Sequence, residues 1–474
     1  MTERRDFRRT KIICTLGPSS DSAETIRQLA GAGMNVARLN MSHGTHESHL
    51  RTIQHIQNLR HELNHPIAIL LDLQGPAIRT GERSGHLTLG VGEEFSVSVA
   101  PSSDPEAKSI HVDYEDMVHQ LRVGDRITVD NGLINLEVLE VRARDLRCRV
   151  VDGGTLGSRK HINLPGIRVN LPSISAQDTA DIRFGVAHDV DFFAVSFVRN
   201  AAALREARQV LADAGARDAR LIAKIENQEG MDNLDEIIAE ADGLMVARGD
   251  LGVEVAFAEL PIAQRTMVRK CATAGKPVIV ATHLLESMIE HPMPTRAEVT
   301  DVANAVEEEV DAVMLSGETA TGAHPVRCVE VLDEIARRTE KEGGLGFHTL
   351  RDPVNVREHL ARSACRLADA LSSPAIVVFT RTGRLARLVS SFRPHSAIVY
   401  AFTNLDTARR ALWLSRSVVP FQMELSDDPE QTIVDAFERL QRHDRLVAGD
   451  PIVVVSDVAT RHGDVTAIQV RQVG

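Results

Sequence analysis

Short apolar runs alternate with segments whose apolar positions recur at helical spacing. The first three runs, Lys11–Leu16, Asn35–Asn40 and Ile67–Asp72, read as strands. Gly17-Pro18-Ser19-Ser20 ends the first, a Ser-Asp pair offers an N-cap to a helix from about Ala23 to Ala32, and Gly33 closes that helix. From Pro76 to Asn163 the period changes to two. Strands are predicted at His86–Leu89, Glu94–Val99, Arg126–Val129, Leu133–Val141 and Arg147–Val151, with turn signals at Gly90, Gly124-Asp125 and Gly153-Gly154. At Asn163-Leu164-Pro165-Gly166 the strand-helix rhythm resumes, with strands at Phe192–Phe197, Leu221–Ile225, Gly243–Ala247, Pro277–Thr282 and Ala312–Ser316. A linker near Lys341-Glu342-Gly343-Gly344 precedes a second α/β pattern, with strands at Ala375–Thr380, Ala397–Phe402, Val418–Met423, Pro451–Ser456 and Ala467–Val470.

Eight strand-helix units predict an α/β fold built on a closed (β/α)8 TIM barrel. The expected organisation is a barrel domain over 1–75 and 164–342, an inserted all-β domain over 76–163 after the third strand, and a C-terminal α/β domain over 347–474. An open doubly wound sheet is the alternative, but no GxGxxG follows the first strand. In a barrel the site lies at the C-terminal strand ends, and polar residues collect there: Arg38, Asn40, Asp72, Ser196, Lys224, Glu226, Asp250, Thr282 and Ser316.

The densest chemistry lies in Leu221–Glu254. Residues two apart on a strand share a face, so Lys224 and Glu226 point the same way, and the next strand ends in Arg248-Gly249-Asp250. Glu226 and Asp250 can then share one hard cation beside an ammonium, which suits a phosphate. Solvated loop acids and a surface lysine would be the ordinary reading, but it explains poorly a charged pair inside an apolar run.

Composition narrows the classes. The 474 residues carry 54 Lys plus Arg against 66 Asp plus Glu, a net charge of -12, which argues against nucleic acid or an anionic membrane as the partner. The five cysteines are far apart and form no CxxC, so no disulfide framework or zinc site is expected, and a reducing, cytoplasmic setting fits. The apolar run after Met1–Lys11 is too short for a signal peptide or membrane span. His46, His49, His55, His61 and His65 sit at spacings that suit an amphipathic helix, not a metal site. In the C-terminal domain Thr380-Arg381-Thr382-Gly383-Arg384 opens a helix, and a phosphate cradle and a plain turn both account for it.

Several separated strings resemble one family. They are Ala37-Arg38-Leu39-Asn40-Met41-Ser42-His43-Gly44, Lys224-Ile225-Glu226-Asn227, Ala247-Arg248-Gly249-Asp250-Leu251-Gly252, Thr282-His283-Leu284-Leu285-Glu286-Ser287-Met288 and Met314-Leu315-Ser316-Gly317-Glu318-Thr319-Ala320. In this order, across essentially the whole chain, they resemble pyruvate kinase. The resemblance implies a barrel with a β domain inserted after the third strand and a C-terminal effector domain, in a cytoplasmic homotetramer. It implies phosphoryl transfer from phosphoenolpyruvate to ADP, with Glu226 and Asp250 holding Mg²⁺ or Mn²⁺ and Arg38, Lys224, Gly249, Asp250 and Thr282 at the substrate. Asn40, Met41, Ser42, His43, Arg79 and Lys160 would face the nucleotide. Lys224 and Arg79 would act in the transfer, with Thr282 or Ser316 delivering a proton to the enolate through water.

Departures from the family pattern carry expectations too. His283 stands where many relatives have glutamine. Leu385 replaces the hydroxyl usual at the end of the phosphate loop and the last loop, Thr460–Val465, is short, so a sugar monophosphate suits the Thr380–Arg384 effector loop better than fructose 1,6-bisphosphate. Asp72-Leu73-Gln74-Gly75-Pro76-Ala77 resembles K⁺-independent relatives at Leu73 and Gln74, but Ala77 brings no ammonium in place of the ion. K⁺ is therefore expected on Asn40, Ser42, Asp72 and the carbonyl of Leu73. The rival readings are a metal-dependent barrel lyase acting on an enolpyruvate, which would need neither nucleotide nor Lys160, and a non-enzymatic relative that kept only the fold.

Overall fold

A computed structural model of the chain describes residues 7–63, 66–83, 85–100, 109–130, 132–426, 428–460 and 463–474. Eight parallel strands close into a barrel: Lys11–Thr15, Val36–Asn40, Ala68–Asp72, Phe192–Val195, Arg220–Ile225, Gly243–Ala247, Val278–Ala281 and Ala312–Leu315. The seam closes where Lys11 to Cys14 pair with Ala312 to Leu315. These strands read as nearly continuous apolar runs because both faces are covered. Alternate residues such as Ile13, Leu70, Ala194, Ile222, Met245 and Ile279 fill the barrel interior, and the other face packs under the helices. Local capping follows the sequence: Ser22 caps the helix Ala23–Ala32, and Gly33, at φ 125°, ends it.

The inserted domain is a seven-stranded sheet with its own core, joined by a two-stranded pair. The five predicted strands are present. Four more, Ile78–Arg79, Ser109–His111, Gly154–Leu156 and His161–Asn163, were not anticipated. Each is two or three residues long, too short to show a period, and exists because a partner strand pairs with it. The pairing of His161 with Arg79 ties the two ends of the insertion together just above the barrel.

The C-terminal sheet runs in the order Val418–Gln422, Ile398–Thr403, Ala375–Phe379, Pro451–Thr460, Gly463–Gln472, parallel except for the last pair. Those last two strands are longer than expected; Arg461 and His462 of the predicted loop lie outside the described residues, as does His65. The other histidines of that series lie on or pack with the helix His46–Leu63; His46 is bonded to Asp181 at 2.6 Å and stacked on Phe184, a packing role.

The C-terminal domain also plugs the foot of the barrel. Trp413 and Leu414 join the cluster that fills the barrel interior, and Lys11 Nζ donates to the Val418 carbonyl at 2.6 Å while lying 4.8 Å from the Trp413 ring centroid. Arg393 with Asp311 and Arg410 with Asp191 add buried ion pairs across the same junction. Among the described residues no helix is long and apolar enough to cross a membrane.

Candidate active site

The fifth strand delivers Lys224 and then Glu226 to the C-terminal rim, as the period of two requires. Lys224 Nζ lies 3.0 Å from Asp72 Oδ1, 3.0 Å from Glu226 Oε1 and 2.6 Å from Ser196 Oγ. The ammonium is therefore held by the ends of the third, fourth and fifth strands. Ser196 passes its own proton to the Leu73 carbonyl at 2.7 Å, which fixes it as an acceptor for the lysine.

Arg38, from the second strand, is positioned just as firmly. Its Nε donates to Asp72 Oδ2 at 2.7 Å and Nη1 to Thr15 Oγ1 at 2.8 Å, while Thr15 itself donates to the Leu315 carbonyl. No partner among the described residues engages Nη2. Two cations thus share the buried carboxylate of Asp72. Burial alone would raise the pKa of that acid, but Lys224 and Arg38 together hold it below the ordinary carboxylate value. Burial pulls the Lys224 ammonium down, and Asp72 and Glu226 more than reverse this, so it stays charged.

Glu226 is in a different state. Burial pushes its carboxyl up to about 7, with Lys224 opposing and Asp250 adding repulsion, although the Phe197 N–H donates to it at 2.6 Å. Asp250 lies in the first turn of the helix Arg248–Glu254 and remains partly exposed. Two acids that repel each other over a site with one ammonium call for a further cation, and their oxygens are donors of the kind Mg²⁺ or Mn²⁺ takes. Among the described residues no three His, Cys, Asp or Glu side chains group into a metal cage.

Thr282 and His283 follow the seventh strand with φ 72° and 57°, two consecutive left-handed residues without glycine. Arg248 holds this strained turn: it is buried, paired with Asp301 at 2.7 Å, and donates from Nη2 to the Thr282 carbonyl at 2.6 Å. Gly249 suits the close approach, since a Cβ there would lie 3.0 Å from Thr282 Cγ2 and press on that side chain. Ser316 sits where the eighth strand enters the short helix Gly317–Ala320, its N–H bonded to buried Glu318 at 2.7 Å.

The residues expected at the nucleotide divide into two groups. Asn40 to His43 continue from the second strand, with Met41 N–H on the Asp72 carbonyl at 2.9 Å and Ser42 N–H on Asn40 Oδ1 at 3.2 Å. Arg79 and Lys160 belong to the inserted sheet. The buried Arg79 Nε has no hydrogen-bond partner, and Lys160 Nζ is bound to Asp130 at 2.9 Å within its own domain. In the Thr380–Arg384 loop Gly383, at φ 77°, donates its N–H to Thr380 Oγ1 at 3.1 Å, and the Thr403 hydroxyl donates to the Arg381 carbonyl. Arg381 and Thr382 are exposed.

Two participants escaped the sequence reading, and a third was placed at the rim without a role. Ser196 stood out only as a polar strand end, and Thr15 looked like strand filler until register placed it beside Arg38. His161 was given no role from the sequence, yet its Nδ1 lies 3.7 Å from Asp250 Oδ1, and burial with Arg79 nearby lowers its pKa to about 4. It is a neutral ring between the inserted domain and the rim.

This architecture defines a (β/α)8-barrel enzyme whose site pairs cations and acids over an anionic substrate, beneath an inserted β domain. Two family models, described as the barrel domain and the alpha/beta domain of pyruvate kinase, match residues 7–329 and 358–470, and the chain belongs to the pyruvate kinase family. It is 43% identical over 473 residues to plastidial pyruvate kinase 3 of Arabidopsis thaliana, covering 98% of this chain and 82% of that one. It is 40% identical over 475 residues to the pyruvate kinase of Bacillus licheniformis, covering 99% and 81%. A crystal structure of a pyruvate kinase from Cryptosporidium parvum matches with a TM-score of 0.92 at 36% identity, covering 98% of this chain and 96% of that one. The enzyme is a phosphotransferase that passes the phosphoryl group of phosphoenolpyruvate to ADP, giving pyruvate and ATP. The lyase reading finds no support in these matches.

Proposed function

We propose that the Lys224 cluster is where the phosphoryl group moves, with Arg38 and Lys224 on the substrate and Glu226 and Asp250 as the divalent-metal ligands. The observation that carries this is the unequal surroundings of the acids: Asp72 already meets two cations, Arg38 at 2.7 Å and Lys224 at 3.0 Å, whereas Glu226 meets Lys224 alone, at 3.0 Å, and is repelled by Asp250. Transfer through a loose transition state needs fixed positive charge around the migrating group more than covalent help. Lys224 and Arg38 supply it without reorganising, because Ser196, Asp72 and Thr15 already hold them. Mg²⁺ or Mn²⁺ bound by Glu226 and Asp250 would add positive charge on the substrate oxygens, with substrate and water filling its other positions.

Gly249 lets the substrate approach the backbone beside Thr282, and Thr282 and Ser316 are the hydroxyls placed to relay a proton through water to the enolate. Asn40 to His43 and Arg79 face the nucleotide. Lys160 joins them when the inserted domain closes on its hinge and its bond to Asp130 is exchanged for one to phosphate. K⁺ is held by Asn40, Ser42, Asp72 and the Leu73 carbonyl, which has a second lone pair beyond the one used by Ser196. A sugar monophosphate occupies the Thr380–Arg384 loop. The test of the metal assignment is a Mg²⁺ titration at saturating substrates: Glu226→Gln and Asp250→Asn should each raise the half-saturating concentration at least tenfold. An unchanged requirement in both variants would place the metal elsewhere.

A further inference from the structure

The junction between the barrel foot and the C-terminal domain contains a cavity of about 240 Å³. Five cationic side chains line it, against two carboxylates, and both carboxylates are already engaged. Asp311 takes Arg393 through both oxygens, at 2.9 and 2.6 Å, together with the N–H groups of Val278 and Arg416. Asp242 accepts from Arg208 at 3.1 Å, from Arg220 at 3.4 Å and from the Leu221 N–H. Lys276 reaches only carbonyls, that of Ala241 at 2.6 Å being the nearest. Arg384 and Arg387, from the C-terminal helix Arg384–Ser391, form no ion pair among the described residues.

Arg387 is the sharpest anomaly. Its Nη1 is buried and has no hydrogen-bond partner. It lies close against the Gly383 backbone, where an added Cβ would come within 3.2 Å of Nη1. Burial, and then Arg220 across the junction, lower its pKa to about 10, which leaves it charged at neutral pH. Unmet guanidinium N–H groups facing like charges across a domain junction are costly unless an anion joins them.

We propose that this cavity is a second anion site, taking a phosphate dianion or phosphate monoester between Arg384 and Arg387 of the C-terminal domain and Arg220 and Lys276 of the barrel. Arg220 opens the strand that carries Lys224 near its far end, and Lys276 precedes the strand that Thr282 follows. The anion therefore sits at the feet of strands whose far ends form the rim. Guanidinium groups suit such a ligand because their paired donors match phosphate oxygens.

The experiment uses the full-length protein and follows thermal unfolding as inorganic phosphate replaces chloride at fixed ionic strength, with a hexose monophosphate and a nucleoside monophosphate as parallel arms. Phosphate or one of the esters should raise the Tm, and the arm whose shift Arg387→Met weakens most identifies the form of the anion. Arg387→Met should unfold no earlier than the parent without phosphate, because it removes an uncompensated buried charge, and should need at least tenfold more ligand for half its shift. Lys276→Gln, on the barrel side of the cavity, should weaken the response in the same direction, and Arg381→Ala in the neighbouring loop should leave the response to inorganic phosphate unchanged. Binding at the rim would survive Arg387→Met. A response equal to the parent's in both Arg387→Met and Lys276→Gln, or no response to any of the three anions, overturns the proposal.

Discussion

The rim and the foot of the barrel both gather cations, but they are balanced differently. At the rim, Lys224 has Asp72, Glu226 and Ser196 within 3.0 Å, and Arg38 has Asp72 and Thr15, so the cations are fixed before any ligand arrives. What is unbalanced there is negative: Glu226 beside Asp250. At the foot the carboxylates are spent on Arg393, Arg208 and Arg220, and the imbalance is positive, at Arg384, Arg387 and Lys276. One end is thus short of a cation and the other short of an anion. A folded protein tolerates such deficits where a ligand completes them.

The largest effect should come from removing the best-balanced charge. Lys224→Met is expected to lower kcat at least 10²–10³-fold, about 3–4 kcal/mol of lost transition-state stabilisation. Its Glu226 should take up a proton, so that circular dichroism stays native. Turnover near that of the parent would mean that the rim lysine serves the fold alone.

The second prediction concerns pH. The folded-state pKa of Glu226 is raised to about 7 from an ordinary value of 4.5, so between those values the folded chain binds more protons than the unfolded one. Its contribution to stability is therefore most favourable below 4.5 and falls as pH rises towards 7. A divalent cation offsets the loss. The Tm gain on adding Mg²⁺ should accordingly grow by several degrees between pH 5.5 and pH 8 in the parent and be flat in Glu226→Gln. A gain independent of pH in the parent would break the contrast between Asp72 and Glu226.

A smaller effect is expected from the monovalent site. Initial rates in potassium chloride should exceed those in tetramethylammonium chloride several-fold at matched ionic strength, which removes general screening as a cause. Ala77→Lys should narrow that difference by bringing an ammonium in place of the ion. Equal rates in the two salts, with Ala77→Lys neutral, would show that Lys224 and Arg38 suffice. Smallest of all, Arg381→Ala should weaken activation by a sugar monophosphate while leaving the unactivated rate within about twofold. An unaltered response to every sugar phosphate tried would make Thr380–Arg384 a plain turn.

The barrel was legible because each strand is a nearly continuous apolar run, and the polar residues at or near the end of each run mark the rim. Lys224 and Glu226 could be placed on one face from their spacing alone. What the sequence hid depends on pairing between distant segments. Ile78–Arg79 and His161–Asn163 are strands only because each completes the other, and that pairing is what brings His161 to Asp250. Thr15 and Arg38 are register partners across neighbouring strands, a relation that no local pattern reveals. Arg387 reads as one more charge on an amphipathic helix, and its burial appears only when the barrel foot packs over it.

The most direct test of the rim as the cation-deficient end is Mn²⁺ binding, followed by the loss of the free-ion paramagnetic resonance signal, in the parent, Glu226→Gln, Asp250→Asn and Arg387→Met. The parent and Arg387→Met should bind Mn²⁺ equally, and both rim variants should bind at least tenfold more weakly. Equal affinity in all four proteins would contradict the assignment of Glu226 and Asp250 as the metal ligands.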